Sequence, residues 1–353
     1  MFQKSSLTFF DHYTPFPTVV KGFLKIFLDF TLIQYSHGIL WSNRVREVFK
    51  INRQLKGSLY LIACSFVWGM AFVAQGSAMD YVEPATFVFV RFTITFLALL
   101  AATPLFTKLS GGPKAGEPSL KAHVRAGSVI GVVLGVASML QQYGLVHTSP
   151  TNSGFVTALY ILIVPIIGLF LGRRVRKVVW LAVCLSLTGL YLLCVGKGFT
   201  VNPGDLITLG CAVVFAIHIT LVDRWAGDLD PIKLSAIQFG FGALTAAVVA
   251  FLFERPTVQG IVQCLPFLLY AALVSGAIGY TLQLVGQKYT DPTLASLIMC
   301  LESVFAAVGE WLATRMGWFN GQLLDGRRLL GCALMLAASM IAQIPDRRDI
   351  TGR

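Results

Sequence analysis

Charged side chains are scarce in this 353-residue chain, where Asp, Glu, Lys and Arg together make up 13% of the residues. Ordinary soluble proteins carry about a quarter. Hydrophobic residues reach 56%, and the mean hydropathy is +0.72. Acidic residues are fewer than basic ones, 17 against 28, which gives a net charge of +11. This composition excludes an ordinary soluble domain and predicts an all-α membrane protein.

The usual motifs of catalysis and metal binding are also missing. The seven cysteines include no Cys-x-x-Cys pair, and the chain contains neither His-Glu-x-x-His nor a glycine-rich phosphate loop. His123 and His147 lie at predicted loop edges without an acidic residue at ligand spacing. We therefore expect no metal, no cofactor and no direct use of ATP. Nucleic acid is not an expected partner either, because the basic residues segregate by membrane side.

Ten apolar stretches, each near the roughly 20 residues that a helix needs to cross a bilayer, run along the chain. We predict ten transmembrane helices at 57–78, 85–106, 126–146, 151–171, 178–195, 205–223, 232–253, 264–286, 293–312 and 328–345. The loops between them are short. None of these loops could form a soluble catalytic domain.

The second five stretches repeat the first five. The segment from Gln141 to Pro150, with its Thr-x-Pro turn, aligns with the segment from Gln283 to Pro292 at an offset of about 142 residues. A weaker match places Trp68 over Phe215. Because five is an odd number, a second copy must enter the membrane with the opposite orientation. The fold class is therefore predicted as two inverted five-helix repeats, an architecture typical of secondary transporters.

The repeat defines the predicted domain boundaries. We expect an N-terminal extension at 1–56, a first five-helix repeat at 57–195, a second at 196–345 and a tail at 346–353. In the extension, Lys21, Lys25 and Asp29 recur every four residues on an otherwise apolar segment. That spacing favours a helix lying in the membrane interface. The alternative is that the extension has no ordered structure.

The basic residues predict the orientation. With the start of the first span inside, 19 Lys and Arg residues lie on the cytoplasmic side: five at 44–56, four at 108–125, four at 173–177, one each at 224, 233 and 288, and three at 347–353. The other side has five, namely Lys197, Arg255, Arg315, Arg327 and Arg328. By the positive-inside rule, both ends of the core are expected in the cytoplasm, in the cell (inner) membrane.

Several segments together resemble the EamA-type carriers of the drug/metabolite transporter superfamily. They are Trp68-Gly-Met-Ala-Phe-Val-Ala-Gln75, Gln141-Gln142-Tyr-Gly-Leu, Gly154-Phe-Val-Thr-Ala-Leu-Tyr160 and Ala295-Ser-Leu-Ile-Met-Cys-Leu-Glu302-Ser-Val-Phe. The resemblance covers about residues 57–345. It implies a ten-helix carrier with two inverted EamA repeats, a central cavity, and export of small metabolites such as amino acids.

Three ionisable residues inside the apolar spans are candidates for coupling or substrate binding, because such groups are expensive in hydrocarbon unless they face a cavity or a partner. Glu302, near the middle of the ninth span, is the best candidate for proton coupling or for contact with a substrate amine; otherwise it bonds a neighbouring helix. Arg91 could bind a substrate carboxylate, pair with Glu302 or Glu310, or extend to the interface. His218 is either a protonation switch or a packing residue.

Neutral polar and aromatic residues complete the candidate site. Gln141, Gln142 and Gln283 suit zwitterionic or amide-bearing solutes, or they hold helices together. Trp68, Tyr160 and Tyr280 could line the cavity with aromatic surface. We expect the substrate to lie near the midplane between the repeats, where the first, third, fourth, sixth, eighth and ninth spans meet.

The predicted function is that of a secondary transporter for small polar or amphiphilic metabolites, exporting them by alternating access with proton exchange. Its expected partners are the solute, membrane lipids and protons; the sequence leaves the oligomeric state open. Two alternatives are an intramembrane enzyme and a non-coupled facilitator of lipid or solute movement. The sequence favours the carrier over an enzyme, because no nucleophile stands at a suitable spacing from a base.

Overall fold

The computed structural model describes residues 53–109, 118–148, 150–194, 203–227, 229–317 and 324–344. All secondary structure in these ranges is helical. The described residues of 53–101 and 118–344 form one compact unit, and residues 102–109 are the last part of the second-span helix. The predicted interfacial helix and the tail at 346–353 lie outside the described residues.

Ten helical spans follow one another in the described part of the chain, and the predicted helical membrane fold is confirmed. Their bounds are Arg53–Ala78, Pro84–Leu109, Leu120–Leu145, Pro150–Thr157 with Tyr160–Phe170, Lys177–Cys194, Pro203–Ala226, Pro231–Phe253, Leu265–Leu269 with Tyr270–Gly279 and Tyr280–Gln287, Pro292–Met299 with Glu302–Arg315, and Gly326–Ala342. By length and composition, eight of them could cross a membrane. The fifth and tenth are shorter, with 18 and 17 residues. A short helix, Val258–Gln263, precedes the eighth.

Proline and side-chain caps explain where several spans begin. The side chain of Asp230 accepts hydrogen bonds from the first turn of the seventh span, and Asp291 caps the ninth in the same way, each directly before a proline. Such a pair satisfies exposed backbone N–H groups and presets the helical φ angle. The two Thr-x-Pro turns found in the sequence therefore end at the first residues of the fourth and ninth spans, Pro150 and Pro292.

Three predicted spans are interrupted in the structure. The fourth breaks after Thr157, at a tight turn in which Leu159 N–H donates to Val156 O. The ninth breaks after Met299, at a tight turn in which Leu301 N–H donates to Ile298 O. The eighth contains a π-helix, Tyr270–Gly279. Hydropathy could not predict these changes, because they alter backbone bonding without altering the apolar composition. Such mid-helix irregularities often occur at functional sites.

Contacts between helix ends define one surface of the bundle, here called the terminal face because the core begins and ends there. The pairs are Gly57 with Thr290, Lys288 with Leu229, His123 with Asp230, Arg173 with Asp223, and Arg176 with Ala342 and Ile344. The Arg173–Asp223 ion pair measures 2.6 Å. Both ends of the ten-span core therefore lie on the same side.

The opposite face contains the remaining helix ends. The Glu254 carboxylate accepts hydrogen bonds from the backbone N–H groups of Ala85 and Thr86 at 2.8 and 2.6 Å, and from the Tyr143 hydroxyl at 2.7 Å. Thr148 donates to Asp205 at 3.0 Å on the same side. Because consecutive helix ends alternate between the two faces, the ten spans cross in an up-and-down order.

Close helix packing depends on glycine, as two of the interfaces illustrate. In the third span, a Cβ atom on Gly131 would lie 2.3 Å from the carbonyl oxygen of Gln238 in the seventh. The fifth and tenth spans meet through Gly189 and Gly331, where a Cβ on either residue would lie within 2.7 Å of the other's carbonyl oxygen. The Gly-x-x-x-Gly pattern that Gly131 begins therefore packs as such patterns do in membrane helices.

The outer surface of the bundle is apolar. Large side chains that are more than half exposed include Leu97, Leu181, Leu244, Val248 and Leu330. Such exposure is unusual for a soluble protein but is what lipid tails require of a helix surface. The polar side chains of the spans, in contrast, are mostly buried between helices.

Candidate functional site

A cavity lies at the centre of the bundle. Seven spans form its wall: the first, second, third, fourth, sixth, eighth and ninth. The cavity has a volume of about 30 Å³, which leaves room for about two water molecules. The wall residues are Trp68, Phe72, Gln75, Arg91, Gln141, Thr157, Tyr160, Phe215, Ile219, Ser275, Tyr280, Gln283 and Glu302. Seven of the nine residues singled out in the sequence are therefore brought together.

Glu302 forms the acidic end of the site. It is 4% exposed and begins the second helix of the ninth span, directly after the break. The Tyr160 hydroxyl donates a hydrogen bond to its Oε1 at 3.0 Å. No cationic nitrogen lies within 4.0 Å of Glu302 in the part of the chain that the structure describes. The cavity therefore contains a buried carboxyl group whose bonding partner is a phenol.

Arg91 forms the basic end of the site. Its side chain is 4% exposed, so it does not extend to the membrane surface. One guanidinium nitrogen donates to Gln75 Oε1 at 2.8 Å, and the group lies 5.0 Å from the ring centre of Phe92. Its Nε is buried without a hydrogen-bond acceptor, and among the described residues no carboxylate lies within 4.0 Å of it. The sequence-based pairing of Arg91 with Glu302 or Glu310 is therefore not formed in this structure.

Amide and aromatic groups fill the wall between these ends. Gln141 donates to the Thr157 hydroxyl at 3.3 Å, whereas the buried Oε1 of Gln283 has no hydrogen-bond partner among the described residues. The rings of Trp68 and Tyr280 lie against each other with centroids 4.6 Å apart. The wall thus combines aromatic rings with amides that can donate and accept.

Gln142 and His218 do not belong to the cavity wall. Gln142 is fully buried near the end of the third span, with Nε2 3.3 Å from the sulfur of Met79. His218 is also fully buried, with Nε2 3.4 Å from Gln238 Oε1 and its ring 6.1 Å from the centroid of Tyr280. His218 therefore lies behind the aromatic wall, at a position from which it can support Tyr280.

Three polar wall residues were missed by the sequence reasoning. Gln75 bonds Arg91, Thr157 bonds Gln141, and the backbone carbonyl of Ser275 accepts a hydrogen bond from Trp68 Nε1 at 3.3 Å. Gln75 could have been found, because an amide inside an apolar span is uncommon. Thr157 and Ser275 carry no such signal, since small hydroxyl residues are frequent in membrane helices.

The wall is built from repeat-related pairs. Tyr160 and Glu302 are 142 residues apart, each follows the break of its span, and the two side chains contact each other. Gln141 and Gln283 have the same separation, and both line the cavity. Trp68 and Phe215, the pair from the weaker match, both line it as well. The cavity therefore lies where equivalent positions of the two repeats meet.

No metal centre is formed in the described ranges. No group of three His, Cys, Asp or Glu side chains there could hold an ion, and six cysteines are free. The polar chemistry of the bundle is concentrated instead in the cavity wall. A duplicated ten-helix bundle around such a cavity has the architecture of a secondary carrier.

Comparisons with known proteins agree with this class. The model of the EamA-like transporter family matches the chain twice, at residues 55–195 and 202–342. An uncharacterized transporter of Archaeoglobus fulgidus is 30% identical over 262 residues, which cover 72% of this chain and 77% of that protein. The chain therefore belongs to the EamA-like transporter family, within the drug/metabolite transporter superfamily, and is a multi-pass membrane protein.

Two further matches are more distant. The threonine/homoserine exporter RhtA of Salmonella typhimurium is 26% identical over 195 residues, which cover 52% of this chain and 60% of that exporter. A solved crystal structure, described only as that of a protein, superposes with a TM-score of 0.64 at 20% identity. It covers 82% of this chain and 96% of the matched one. This likeness supports the fold alone.

Proposed function

We propose that this transporter carries small zwitterionic metabolites, such as amino acids, out of the cell in exchange for protons. Arg91 would bind the carboxylate of the solute and Glu302 its ammonium group. The observation that carries the proposal is a buried cation and a buried carboxyl group in one cavity wall, with no ion pair between them. The second repeat, proposed at 196–345, would move against the first at 57–195.

The basic end of the cavity favours an anionic group on the solute. A buried guanidinium is costly unless it is paired, and charge-assisted hydrogen bonds to a carboxylate are the strongest that it can make. Gln75 satisfies one nitrogen of Arg91, and Nε has no acceptor among the residues that the structure describes. A solute carboxylate would supply the missing acceptor and the missing charge.

The acidic end of the cavity accounts for coupling. An ionised Glu302 would be a buried charge without a counter-ion, which is strongly unfavourable in a low-dielectric interior. Either a proton or the ammonium group of the solute can neutralise it. Because both cannot occupy the carboxylate at once, their competition gives exchange of solute for proton.

All residues of the cavity wall are buried, an arrangement that fits an occluded state in alternating access. Polar contacts join the repeats on both faces, through Arg173 with Asp223 on the terminal face and Glu254 with Tyr143 on the opposite face. The central space of about 30 Å³ is too small for an amino acid and has to widen when solute binds. We infer that these two sets of contacts open in turn.

The direction and orientation rest on other observations. The relative from Salmonella typhimurium is named as an exporter of threonine and homoserine, which favours outward transport of amino acids here. The basic residues favour the terminal face as the cytoplasmic one, because Arg173, Arg176 and Lys288 all lie there. Export would then carry solute from the terminal face to the opposite face.

Solute uptake into proteoliposomes tests the proposal. With an acidic lumen, proton efflux should drive uptake of an external amino acid by the wild type. Glu302→Gln should remove this stimulation, whereas the control Glu310→Gln should retain it. Glu310 is also buried in the ninth span but does not line the cavity. Thermal unfolding of each variant checks that it is folded.

Three outcomes would contradict the proposal. Uptake that is equal with and without the pH gradient would indicate a facilitator, and Glu302 would then have a structural role. Chemical conversion of the solute without its appearance in the lumen would indicate an intramembrane enzyme. Loss of gradient-driven uptake in both carboxyl variants would remove the specific role of Glu302.

A further inference from the structure

A second concave site lies on the terminal face, apart from the central cavity. It is a groove of about 600 Å³ between the start of the third span and the end of the sixth. Its cations are Lys121, Arg125 and Arg224, and its apolar wall includes Trp225 and Leu229. It shares no residue with the central cavity. Transport through the centre therefore does not account for it.

The cations of the groove lack anionic partners. All three side chains are exposed, and none has a carboxylate within 4.0 Å among the described residues. The neighbouring acids are already bonded, since Asp223 pairs with Arg173 and Asp230 caps the seventh span. The groove is therefore a local concentration of positive charge.

The wall behind these cations is apolar. Trp225 lies 6.0 Å from the guanidinium of Arg224 and packs on a buried cluster that contains Ala126, Val222 and Leu229. Tryptophan is enriched where membrane helices meet the headgroup layer, because its ring suits a half-apolar environment. The groove thus places cations beside a hydrophobic surface at the end of two membrane helices.

This combination matches one kind of membrane lipid. A phospholipid with a net negative headgroup presents a phosphate next to apolar chains, and basic pockets between membrane helices bind such headgroups. Free phosphate would leave the apolar wall exposed to water. Other segments of this chain are poor candidates for occupying a positively charged groove, because neither has a net negative charge. Residues 110–117 contain one Lys and one Glu, and residues 1–50 contain six basic and three acidic residues.

We propose that this groove binds the headgroup of an anionic phospholipid in the leaflet at the terminal face. Arg125 and Arg224 contact the phosphate, and Trp225 covers the glycerol and the upper part of an acyl chain. The proposal does not depend on the solute or on proton coupling. It requires only that the third and sixth spans end at a membrane surface.

Lipid retention measured by native mass spectrometry tests the proposal. The purified full chain would be equilibrated with equal amounts of phosphatidylglycerol and phosphatidylcholine in mixed micelles. The wild type should retain phosphatidylglycerol preferentially. The double variant Arg125→Gln, Arg224→Gln should reduce that preference about 30-fold, because each of the two basic groups contributes on the order of 1 kcal/mol near anionic lipid and about 1.4 kcal/mol corresponds to a factor of ten. Replacing the same two residues by Lys should keep most of it.

A matched control separates a site from general surface charge. The double variant Arg174→Gln, Lys177→Gln removes two exposed cations where the fourth span connects to the fifth, outside the groove. This variant should retain the wild-type lipid preference. An equal loss in both double variants, or no loss in the groove variant, would overturn the proposal. Displacement of the lipid by inorganic phosphate at millimolar concentration would also overturn it, in favour of a soluble anion.

Discussion

The fourth and ninth spans hold equivalent places in the two repeats and break at the same point, yet they carry different chemistry there. After the break the fourth span has Tyr160 and the ninth has Glu302. The backbone angles at the turns are nearly identical, with φ and ψ of −60° and −11° at Leu159 and of −61° and −13° at Leu301. The two repeats therefore have the same backbone conformation at the break but different side chains directly after it.

The second and seventh spans differ in a similar way. Arg91 and Gln238 are 147 residues apart, as are Trp68 and Phe215. Arg91 bonds Gln75 and lines the cavity, whereas Gln238 is buried behind the wall, 3.4 Å from His218. These equivalent spans therefore correspond in position but differ in charge. This asymmetry gives the cavity one basic and one acidic end.

The largest effect is expected from exchanging the two residues at the breaks. Glu302→Tyr should reduce gradient-driven uptake about 100-fold, in the range that loss of a general acid or base causes. Tyr160→Glu should also reduce it, because it places a second carboxyl group beside Glu302 and the two cannot readily ionise together. The double exchange should recover at least tenfold over Glu302→Tyr, because it restores a carboxyl group beside a phenol. Uptake into proteoliposomes measures this. A folded double variant as inactive as Glu302→Tyr would mean that the site depends on which repeat carries the acid.

A smaller effect is expected when the charge difference between the second and seventh spans is removed. Arg91→Gln should raise the half-saturating concentration of an amino acid about 10- to 100-fold, because a charge-assisted hydrogen bond contributes about 1.5–3 kcal/mol. The corresponding amine without a carboxylate should change by less than about twofold on the same reasoning. Competition for uptake measures both constants.

The control for Arg91 is Gln238→Asn in the equivalent position of the seventh span. It should alter neither constant, because Gln238 does not line the cavity. Equal losses for the amino acid and the amine in Arg91→Gln would show that Arg91 supports the wall without contacting the carboxylate.

The smallest effect concerns two equivalent helix contacts. The third span meets the seventh through Gly131, and the eighth meets the second through Gly276 together with a bond from Thr95 Oγ1 to the π-helix carbonyl of Ala272 at 2.8 Å. Gly131→Ala should cost about 1–3 kcal/mol of stability by overpacking. Gly210→Ala is the control, since its Cβ would find its nearest neighbour at 4.0 Å.

Thermal unfolding in one detergent compares the two glycine variants. The midpoint of Gly131→Ala should fall clearly below that of Gly210→Ala, whose midpoint should stay near the wild-type value. Equal midpoints would mean that the third and seventh spans can separate without cost, and the glycine contact would then not hold the helices together.

The sequence predicted most of the architecture because the bilayer restricts it. Span lengths follow from the thickness of the membrane, and the repeat was readable from the matched segments around Gln141 and Gln283. Seven of the nine candidate residues meet in the cavity because polar groups inside apolar spans have few other places to go. Gln142 and His218 are also buried away from lipid, but they contact partners between helices instead of lining the cavity. Which of these two places a side chain occupies depends on the rotation of its helix.

The sequence by itself determined that ten apolar helices in two related sets cross a membrane, since hydropathy and the repeat depend only on the order of residues. The tertiary structure decided which side chains share one space. Apolar spans give little periodic signal for rotation, because lipid and protein interior favour the same residues. The contact between Tyr160 and Glu302, and the separation of Arg91 from the acids of the described residues, arise only when the two repeats pack together.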